Sequence, residues 1–128
     1  MGSGTGIGRV RGLGSAKSGV HHWWMQRVTA AANLLLGIWL VASLLRLPLY
    51  DYRALMLWLS SPWASVPLML AILSIFYHLR LGLQVLIEDY LHDYSRFGAI
   101  VLLNFYAIGG GALALFSVLK IALAGASA

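Results

Sequence analysis

Three long apolar segments dominate the chain and predict three membrane-spanning helices. They cover roughly residues 23–47, 63–89 and 96–124. Each exceeds the about 20 residues that an α-helix needs to cross the hydrocarbon core of a bilayer. The pair Trp23 and Trp24 stands where the first segment would enter the headgroup region, in which tryptophan is enriched. The pattern therefore predicts an all-α membrane protein with three transmembrane helices.

The segments between these spans are short. Residues 49–61 (LYDYRALMLWLSS) are too few and too mixed in polarity to cross a membrane. They predict a short amphipathic helix lying in the interface. Pro62 predicts the start of the second long helix, because proline is favoured in the first helical turn. Residues 91–95 predict a short polar turn between the second and third spans.

The distribution of basic residues predicts the orientation. Residues 1–20 are glycine-rich and basic, and we expect a flexible cytoplasmic segment there, followed by a single three-helix transmembrane domain over residues 21–128. Basic residues on the N-terminal side are Arg9, Arg11, Lys17, Arg27 and Arg96, and those on the opposite side are Arg46, Arg53 and Lys120. Since basic residues favour the cytoplasmic side, we expect a cytoplasmic N-terminus and a C-terminus outside.

Composition excludes several classes of protein. The 128 residues are 60% hydrophobic and only 10% charged, with a mean hydropathy of +0.80. A soluble domain averages about 25% charged residues, so the lipid bilayer is the expected environment. The absence of cysteine excludes disulfides and thiolate metal sites within this chain. The net charge of +5 is scattered beside apolar segments, which fits membrane topology and predicts no nucleic-acid partner.

His78 is the histidine that lies well inside a predicted span. An ionisable residue within the membrane is costly and is a functional candidate by default. It either hydrogen-bonds another helix or serves as an axial ligand to haem iron, a role that suits neutral imidazole. Gly82 lies one turn away on the same face and would let a flat macrocycle approach the backbone. A six-coordinate haem would need its second ligand from a partner subunit.

Asp89 and Tyr90 end the second span. Asp89 follows His78 by eleven positions, so both fall on nearly the same helix face, about 16 Å apart along the axis. One interpretation is a tyrosine at the membrane interface beside a solvated acid. The other is a quinone pocket, in which a phenol donates a hydrogen bond to a quinone carbonyl and a carboxylate connects it with water.

Other polar residues within the spans have two possible uses. We expect Arg80 to pair with a haem propionate or a partner carboxylate, or else to extend its guanidinium toward the interface. Arg27, near the interface, could meet propionates or lipid phosphates. A small and polar stripe predicts a helix-packing face, as does a triple glycine, and Asn104 is expected to bond across helices. The stripe is Gln26, Ala30, Asn33 and Gly37, and the triple glycine is Gly109, Gly110 and Gly111.

Two motifs together resemble a known family. GVHHWWMQR opens the first span, and His78 with ten intervening residues before Asp89-Tyr90 closes the second. In a three-span chain of this size, these motifs resemble the small hydrophobic anchor subunit, of the D type, of succinate dehydrogenase (respiratory complex II). The resemblance covers about residues 9–124. It implies a bundle formed with a second anchor subunit.

The resemblance implies roles for individual residues. His78 would be one axial ligand of haem b, and the second hydrophobic anchor subunit would supply the other. Tyr90 would hydrogen-bond ubiquinone with support from Asp89. Arg27 would approach the haem propionates with assistance from His21. The chain departs from relatives at His22, where some carry an acid, and at Arg80, where some carry an aromatic residue, so the propionate partners stay open.

The function implied is that of a membrane anchor. The chain would hold a flavoprotein subunit and an iron–sulfur subunit at the cytoplasmic face of a bacterial inner membrane, so that succinate oxidation in the tricarboxylic acid cycle feeds the respiratory chain. It would not be catalytic alone. One alternative is the anchor of a quinol:fumarate reductase, and another is a cofactor-free structural or assembly membrane protein.

Overall fold

A computed structural model describes residue 6, residues 18–48 and residues 51–125. Four helices lie in this part of the chain: α1 (Gly19–Arg46), α2 (Tyr52–Ser60), α3 (Pro62–Tyr90) and α4 (Asp93–Ala124). No strand occurs in it, and α1, α3 and α4 are each long and apolar enough to cross a membrane. The predicted all-α class with three spans is confirmed. The flexible segment expected over residues 1–20 falls mostly outside the described residues.

The elements between the first two spans follow the sequence prediction. The predicted short helix is present as α2, and the carboxylate of Asp51 caps it by accepting from the Arg53 backbone N–H at 2.9 Å. Its position in the membrane interface stays a prediction. Capping satisfies one of the backbone N–H groups that the first turn of a helix leaves without a partner. Pro62 begins α3, where its missing N–H has no consequence.

The predicted polar turn over residues 91–95 is wrong in length. Only Leu91 and His92 lie outside helices, and α4 already begins at Asp93. The backbone of Asp93 has φ 54°, in the left-handed region that aspartate tolerates better than most residues. Because one residue in this conformation redirects the chain, three of the five residues expected in the turn are helical.

The three long helices run alternately up and down, with α3 in the middle. Thr29 of α1 lies beside His78 of α3, and Gln26 of α1 lies beside Gly82 of α3. Residue numbers therefore rise along one helix as they fall along the other, which makes α1 and α3 antiparallel. The helices α3 and α4 are antiparallel by the same test. Among the described residues, α1 and α4 do not contact each other. The central helix α3 therefore carries both long interfaces.

Small residues bring α3 and α4 together. A Cβ added at Gly110 would lie 2.8 Å from the Phe76 ring, and one at Gly111 would lie 3.5 Å from it. Such close approach is typical of membrane helix packing. The expectation of packing is confirmed for these two glycines, whereas a Cβ at Gly109 would meet nothing within 4 Å.

The helix α2 is held against the ends of the long helices. It packs on α3 and α4, and Trp58 stacks on Trp39 of α1 with ring centroids 6.0 Å apart. The hydrophobic core inside the described chain is small, and consists of Ala64, Ala71, Leu81, Leu103, Ala107 and Val118. Most large apolar side chains face outward, which leaves a surface suited to lipid or to other membrane helices.

Candidate functional site

An open cleft of about 840 Å³ lies between the start of α1 and the second half of α3. Its lining combines imidazole, guanidinium, amide and carboxylate groups with small residues. The lining residues are Ser18, Gly19, His22, Trp23, Gln26, Arg27, Ala30, His78, Gly82, Gln84, Val85 and Glu88. The antiparallel pairing of the two helices places the predicted ligand His78 and the predicted interfacial residue Arg27 on the same cleft.

His78 is held from the side of α1. Its Nδ1 lies 2.9 Å from the hydroxyl oxygen of Thr29, which is 7% exposed and buried between the helices. Twelve residues separate His78 from the end of α3 at Tyr90, so the imidazole lies about 18 Å along the helix from that end. The histidine therefore lies at depth in the span, as predicted.

The surroundings of the Thr29 hydroxyl assign the proton on the imidazole. The oxygen lies 2.7 Å from the Met25 carbonyl oxygen and 3.2 Å from that of Gln26. A hydroxyl has one proton and two lone pairs, and a carbonyl can only accept. The proton of Thr29 is therefore directed to Met25, and Nδ1–H of His78 donates to Thr29. In this tautomer Nε2 carries the lone pair, and it makes no hydrogen bond within the described residues.

The inner wall of the cleft has room for a flat group. Gly82 lines it below His78, and a Cβ added there would meet the Gln26 amide nitrogen at 3.6 Å, an ordinary contact. The side-chain oxygen of Gln26 is buried without a hydrogen-bond partner among the described residues. A buried unpaired amide oxygen is unfavourable, so this wall is completed when something donates to Gln26.

Charged groups line the cleft nearer the helix ends. Arg27 places its guanidinium 4.2 Å from the centre of the Trp23 ring, a cation–π contact. Glu88 accepts from the Gln84 amide at 3.0 Å and lies 3.8 Å from the Arg96 guanidinium. That ion pair is half-exposed and adds little stability.

The two adjacent histidines at the start of α1 differ in position. His22 lines the cleft, whereas His21 is exposed and lies outside the lining. The sequence interpretation named His21 as the assisting residue. Successive residues on a helix point about 100° apart, which is why only one of the pair meets the cleft.

Arg80 lies on the other side of α3. Two residues turn a helix by about 200°, so Arg80 points away from His78. Its Nε donates to the side-chain oxygen of Asn104 in α4, whose amide nitrogen donates to the Ile100 carbonyl at 2.9 Å. The bond expected from Asn104 across helices is confirmed. The partner of Arg80 within the chain is a neutral amide, where the sequence favoured an anion.

Asp89 and Tyr90 are the last residues of α3, and both are exposed. Tyr90 borders a shallow apolar depression of about 370 Å³ with Leu86, Ile87 and Leu91. In the described part of the chain, neither polar side chain has a hydrogen bond or ion pair. Both side chains are therefore accessible to another molecule at the end of α3.

A second, apolar groove runs along α1 beyond the cleft. It has a volume of about 480 Å³ and contains Asn33 and Gly37 of the predicted small and polar stripe. The side-chain oxygen of Asn33 is buried without a hydrogen-bond partner in the described residues, and a Cβ at Gly37 would meet nothing within 4 Å. Within the described residues, Gln26 of the predicted stripe lies beside Gly82 of α3, whereas Asn33 and Gly37 face a groove lined by α1 residues and are open to another molecule.

Sequence reasoning missed Thr29 and passed over two lining residues. A lone threonine in an apolar run gives no signal by itself, because its hydroxyl can always bond its own helix. His22, Gln26 and Thr29 are spaced by four and then three residues, however, which places them on one helix face. That spacing was the available signal.

Comparison with known proteins gives a consistent result. The family model described as succinate dehydrogenase/fumarate reductase transmembrane subunit matches residues 1–119. The chain is 40% identical over 85 residues to a succinate dehydrogenase hydrophobic membrane anchor subunit of Rickettsia bellii (strain RML369-C), covering 66% of this chain and 68% of the relative. It is 36% identical over 98 residues to the subunit of the same name in Rickettsia conorii (strain ATCC VR-613 / Malish 7), covering 76% and 78%.

No solved structure matches the chain. The family match covers nearly the whole sequence, including both motifs on which the resemblance rests, and the two curated relatives are similar over 66% and 76% of the chain. Together with the three long apolar helices, these similarities decide the assignment. The chain belongs to the succinate dehydrogenase/fumarate reductase transmembrane subunit family, as a membrane anchor of the succinate dehydrogenase type.

Proposed function

We propose that this chain anchors a succinate:ubiquinone oxidoreductase in a bacterial inner membrane, supplies His78 as one axial ligand of haem b, and forms part of the ubiquinone site with Tyr90 and Asp89. Its N-terminus is cytoplasmic. A flavoprotein subunit and an iron–sulfur subunit dock on that face, and a second hydrophobic anchor subunit completes the bundle. The observation that carries this proposal is the cleft on which an intramembrane imidazole offers an unprotonated nitrogen.

The residues of the cleft fit a haem. Its volume of about 840 Å³ lies within the range of ligand pockets, about 300–1,000 Å³. Gly82 leaves the wall beside His78 flat, Arg27 provides a cationic partner for carboxylates, and the imidazole of His22 adds a hydrogen-bonding group. Among the described residues, no group of three or more His, Asp or Glu side chains could hold a bare ion. A single imidazole at depth suits iron already held by a macrocycle.

The open side of the cleft supports a second subunit. In the described part of the chain, its lining comes from α1, the preceding Ser18 and α3, and the sequence has no second histidine at the depth of His78. Gln26 on the cleft and Asn33 on the neighbouring groove each have a buried side-chain oxygen without a hydrogen-bond partner in the described residues. A partner helix lying along α1 would donate to these oxygens and bring the second axial ligand.

In the mechanism, each residue has a limited task. A bound haem would supply single-electron chemistry at this site. His78 would hold it through Nε2, and Arg27 would neutralise carboxylates near the membrane surface. The two electrons released by succinate oxidation would be delivered to ubiquinone by the soluble partner subunits. Ubiquinone takes up two electrons and two protons to become ubiquinol. Tyr90 donates a hydrogen bond to a quinone carbonyl, and Asp89 connects the site with water.

The haem part of the proposal is tested with the purified complex. We expect His78→Ala to abolish or shift the b-type haem absorbance, while His92→Ala, an exposed residue before α4, leaves the spectrum unchanged. An assembled His78→Ala complex with the wild-type spectrum would show that His78 is not a ligand.

The quinone part is tested separately. We expect Tyr90→Phe to lower succinate:ubiquinone activity while succinate oxidation by an artificial dye continues, because the dye accepts electrons before the quinone site. Equal loss of both activities would assign Tyr90 to assembly. The direction of the reaction is tested by measuring fumarate reduction by quinol beside succinate oxidation. The names of the curated relatives favour succinate oxidation over the fumarate reductase alternative.

A further inference from the structure

We propose that Thr29 is the positioning residue of the His78 ligand. Its hydroxyl accepts the Nδ1–H proton of the imidazole, and this fixes both the tautomer and the ring orientation that present Nε2 to iron. The inference rests on the proposed haem ligation by His78. It adds a residue on the neighbouring helix that sets the electronic character of that ligand.

The hydrogen bond has one direction. Thr29 lies 2.7 Å from the Met25 carbonyl oxygen, which needs the hydroxyl proton, and 2.9 Å from Nδ1. Each of these two contacts needs one proton between its two heavy atoms. The hydroxyl proton lies between Thr29 and Met25, so the proton between Thr29 and His78 must be carried by Nδ1. A histidine protonated at Nδ1 has its remaining lone pair on Nε2. Ligating histidines in metal sites generally donate their other N–H to an acceptor in this way.

The acceptor is held in place at several points. Thr29 is buried, and its backbone carbonyl oxygen accepts from the Ser74 hydroxyl of α3 at 3.2 Å. The Thr29 hydroxyl is anchored by Met25 one turn earlier in α1. Because Ser74 and His78 are one turn apart on α3, Thr29 is attached to the same face of that helix twice. A neutral hydroxyl also avoids the cost of a carboxylate acceptor within the membrane.

This arrangement has an electronic consequence. Donation from Nδ1–H to an acceptor makes the imidazole a more basic ligand. A more basic ligand stabilises oxidised iron relative to reduced iron. Loss of the Thr29 hydroxyl should therefore raise the reduction potential of the haem and weaken its retention. Loss of a packing contact alone would lower the stability of the complex without this change in potential.

The experiment compares variants that differ by one hydroxyl. Thr29→Ser and Thr29→Ala both remove the methyl group, and only Ser keeps the acceptor. Thr29→Val keeps the shape and loses the acceptor. Ser74→Ala is the matched control, since it removes the other bond between Thr29 and α3 without touching the imidazole. The assembled complex is measured for haem per protein, reduction potential by redox titration, and the low-spin electron paramagnetic resonance spectrum of oxidised haem.

We expect Thr29→Ser to keep the wild-type potential and spectrum. Ser74→Ala should keep them too, because the Thr29 hydroxyl remains anchored by the Met25 carbonyl. Thr29→Ala and Thr29→Val should raise the potential, shift the spectrum, and lower haem retention about 10-fold or more. If those two variants do not assemble, Thr29→Cys replaces them, because sulfur is a weak acceptor and should shift the potential in the same direction by less.

Two results would overturn the role of Thr29. One is a haem with wild-type potential and spectrum in the variants that lack the hydroxyl. The other is an equal change in Thr29→Ser, Thr29→Ala and Ser74→Ala, which would reveal packing alone. Failure of the proposed function looks different, because wild-type complex without haem, or with haem indifferent to His78→Ala, would remove the ligand itself.

Discussion

The two long faces of the central helix α3 differ in how their polar groups are satisfied. Toward α4, Arg80 donates to Asn104, and Phe76 fills the space that Gly110 and Gly111 leave. Toward α1, Thr29 and His78 bond each other, but the adjoining cleft also contains the unpaired oxygen of Gln26 and an imidazole nitrogen without a partner in the described residues. Within the described residues, Arg80 and Asn104 of the first face bond each other, whereas the second face keeps an amide oxygen and an imidazole nitrogen without a partner.

This difference distinguishes an interface that stabilises the fold from one that is suited to binding another molecule. A polar group inside a membrane protein is tolerated when it is paired, and unpaired ones are costly. At the interface of α3 and α4, the intramembrane arginine looks functional in the sequence but is paired within the fold. At the interface of α1 and α3, the unpaired groups lie on the surface where the proposed cofactor or partner helix would bind. Variants at the two interfaces should therefore fail in different ways.

The largest effect is expected at the interface of α3 and α4. Asn104→Leu removes the acceptor of Arg80 and leaves a guanidinium in an apolar interface. A charged residue at the centre of a membrane helix costs about 2.5–3.5 kcal/mol, so the melting temperature and yield of the complex should fall clearly. The double variant Arg80→Met with Asn104→Leu should recover most of the loss.

Ser117→Ala serves as the control for Asn104→Leu, because the Ser117 hydroxyl is exposed and bonds only its own helix. The haem spectrum of the Asn104→Leu complex that does assemble should match wild type, since Arg80 points away from His78. A stable Asn104→Leu complex with an altered spectrum would assign Arg80 to the cofactor, and the contrast between the two interfaces would be lost.

A smaller loss of stability is expected from Gly110→Leu. A Cβ at this position would already lie 2.8 Å from the Phe76 ring, so larger side chains must push α3 and α4 apart. Overpacking of this kind costs about 1–3 kcal/mol, measurable as a lower melting temperature of the complex. Gly109→Leu is the matched control, because nothing lies within 4 Å of its Cβ position. Equal destabilisation by both variants would mean that a partner covers Gly109.

Sequence reasoning predicted the fold more completely than the site. The lengths of the hydrophobic segments predict the three long helices and the short helix α2, and Pro62 predicts the start of α3. Both are local signals. The turn before α4 was predicted too long, because one left-handed Asp93 reverses the chain in a way that composition does not reveal. Motif resemblance identified the family, and His78 was predicted at depth from its position in the span.

What the sequence could not supply is the pairing between helices. The bond between Thr29 and His78 joins residues 49 positions apart, and the choice of His22 over His21 depends on how α1 is rotated against α3. The sequence predicts an anion as the partner of Arg80, because it does not reveal that Asn104 of another helix lies beside the guanidinium. Periodicity fixes which residues share a face of one helix, but not which faces meet.

A third prediction concerns the cleft itself. Gly82→Leu should project into the space beside His78 and lower haem occupancy by about tenfold, equivalent to about 1.4 kcal/mol in affinity. Gly82→Ala should be nearly normal, since its Cβ meets the Gln26 amide at an ordinary 3.6 Å. Stability of the assembled complex should change little in either variant, in contrast to Gly110→Leu. Full haem content in Gly82→Leu would place the cofactor elsewhere.

The smallest effect is expected from Arg27, which lines the cleft where α1 begins. Its cation–π contact with Trp23 at an exposed site stabilises the chain by only about 0.5–1 kcal/mol, so Arg27→Gln should scarcely change the melting temperature. A positive charge near the haem favours the reduced state, and Arg27→Gln should therefore lower the reduction potential. Arg27→Lys keeps the charge and should remain close to wild type. Equal potentials in Lys and Gln variants would show that Arg27 acts on lipid phosphates and not on the cofactor.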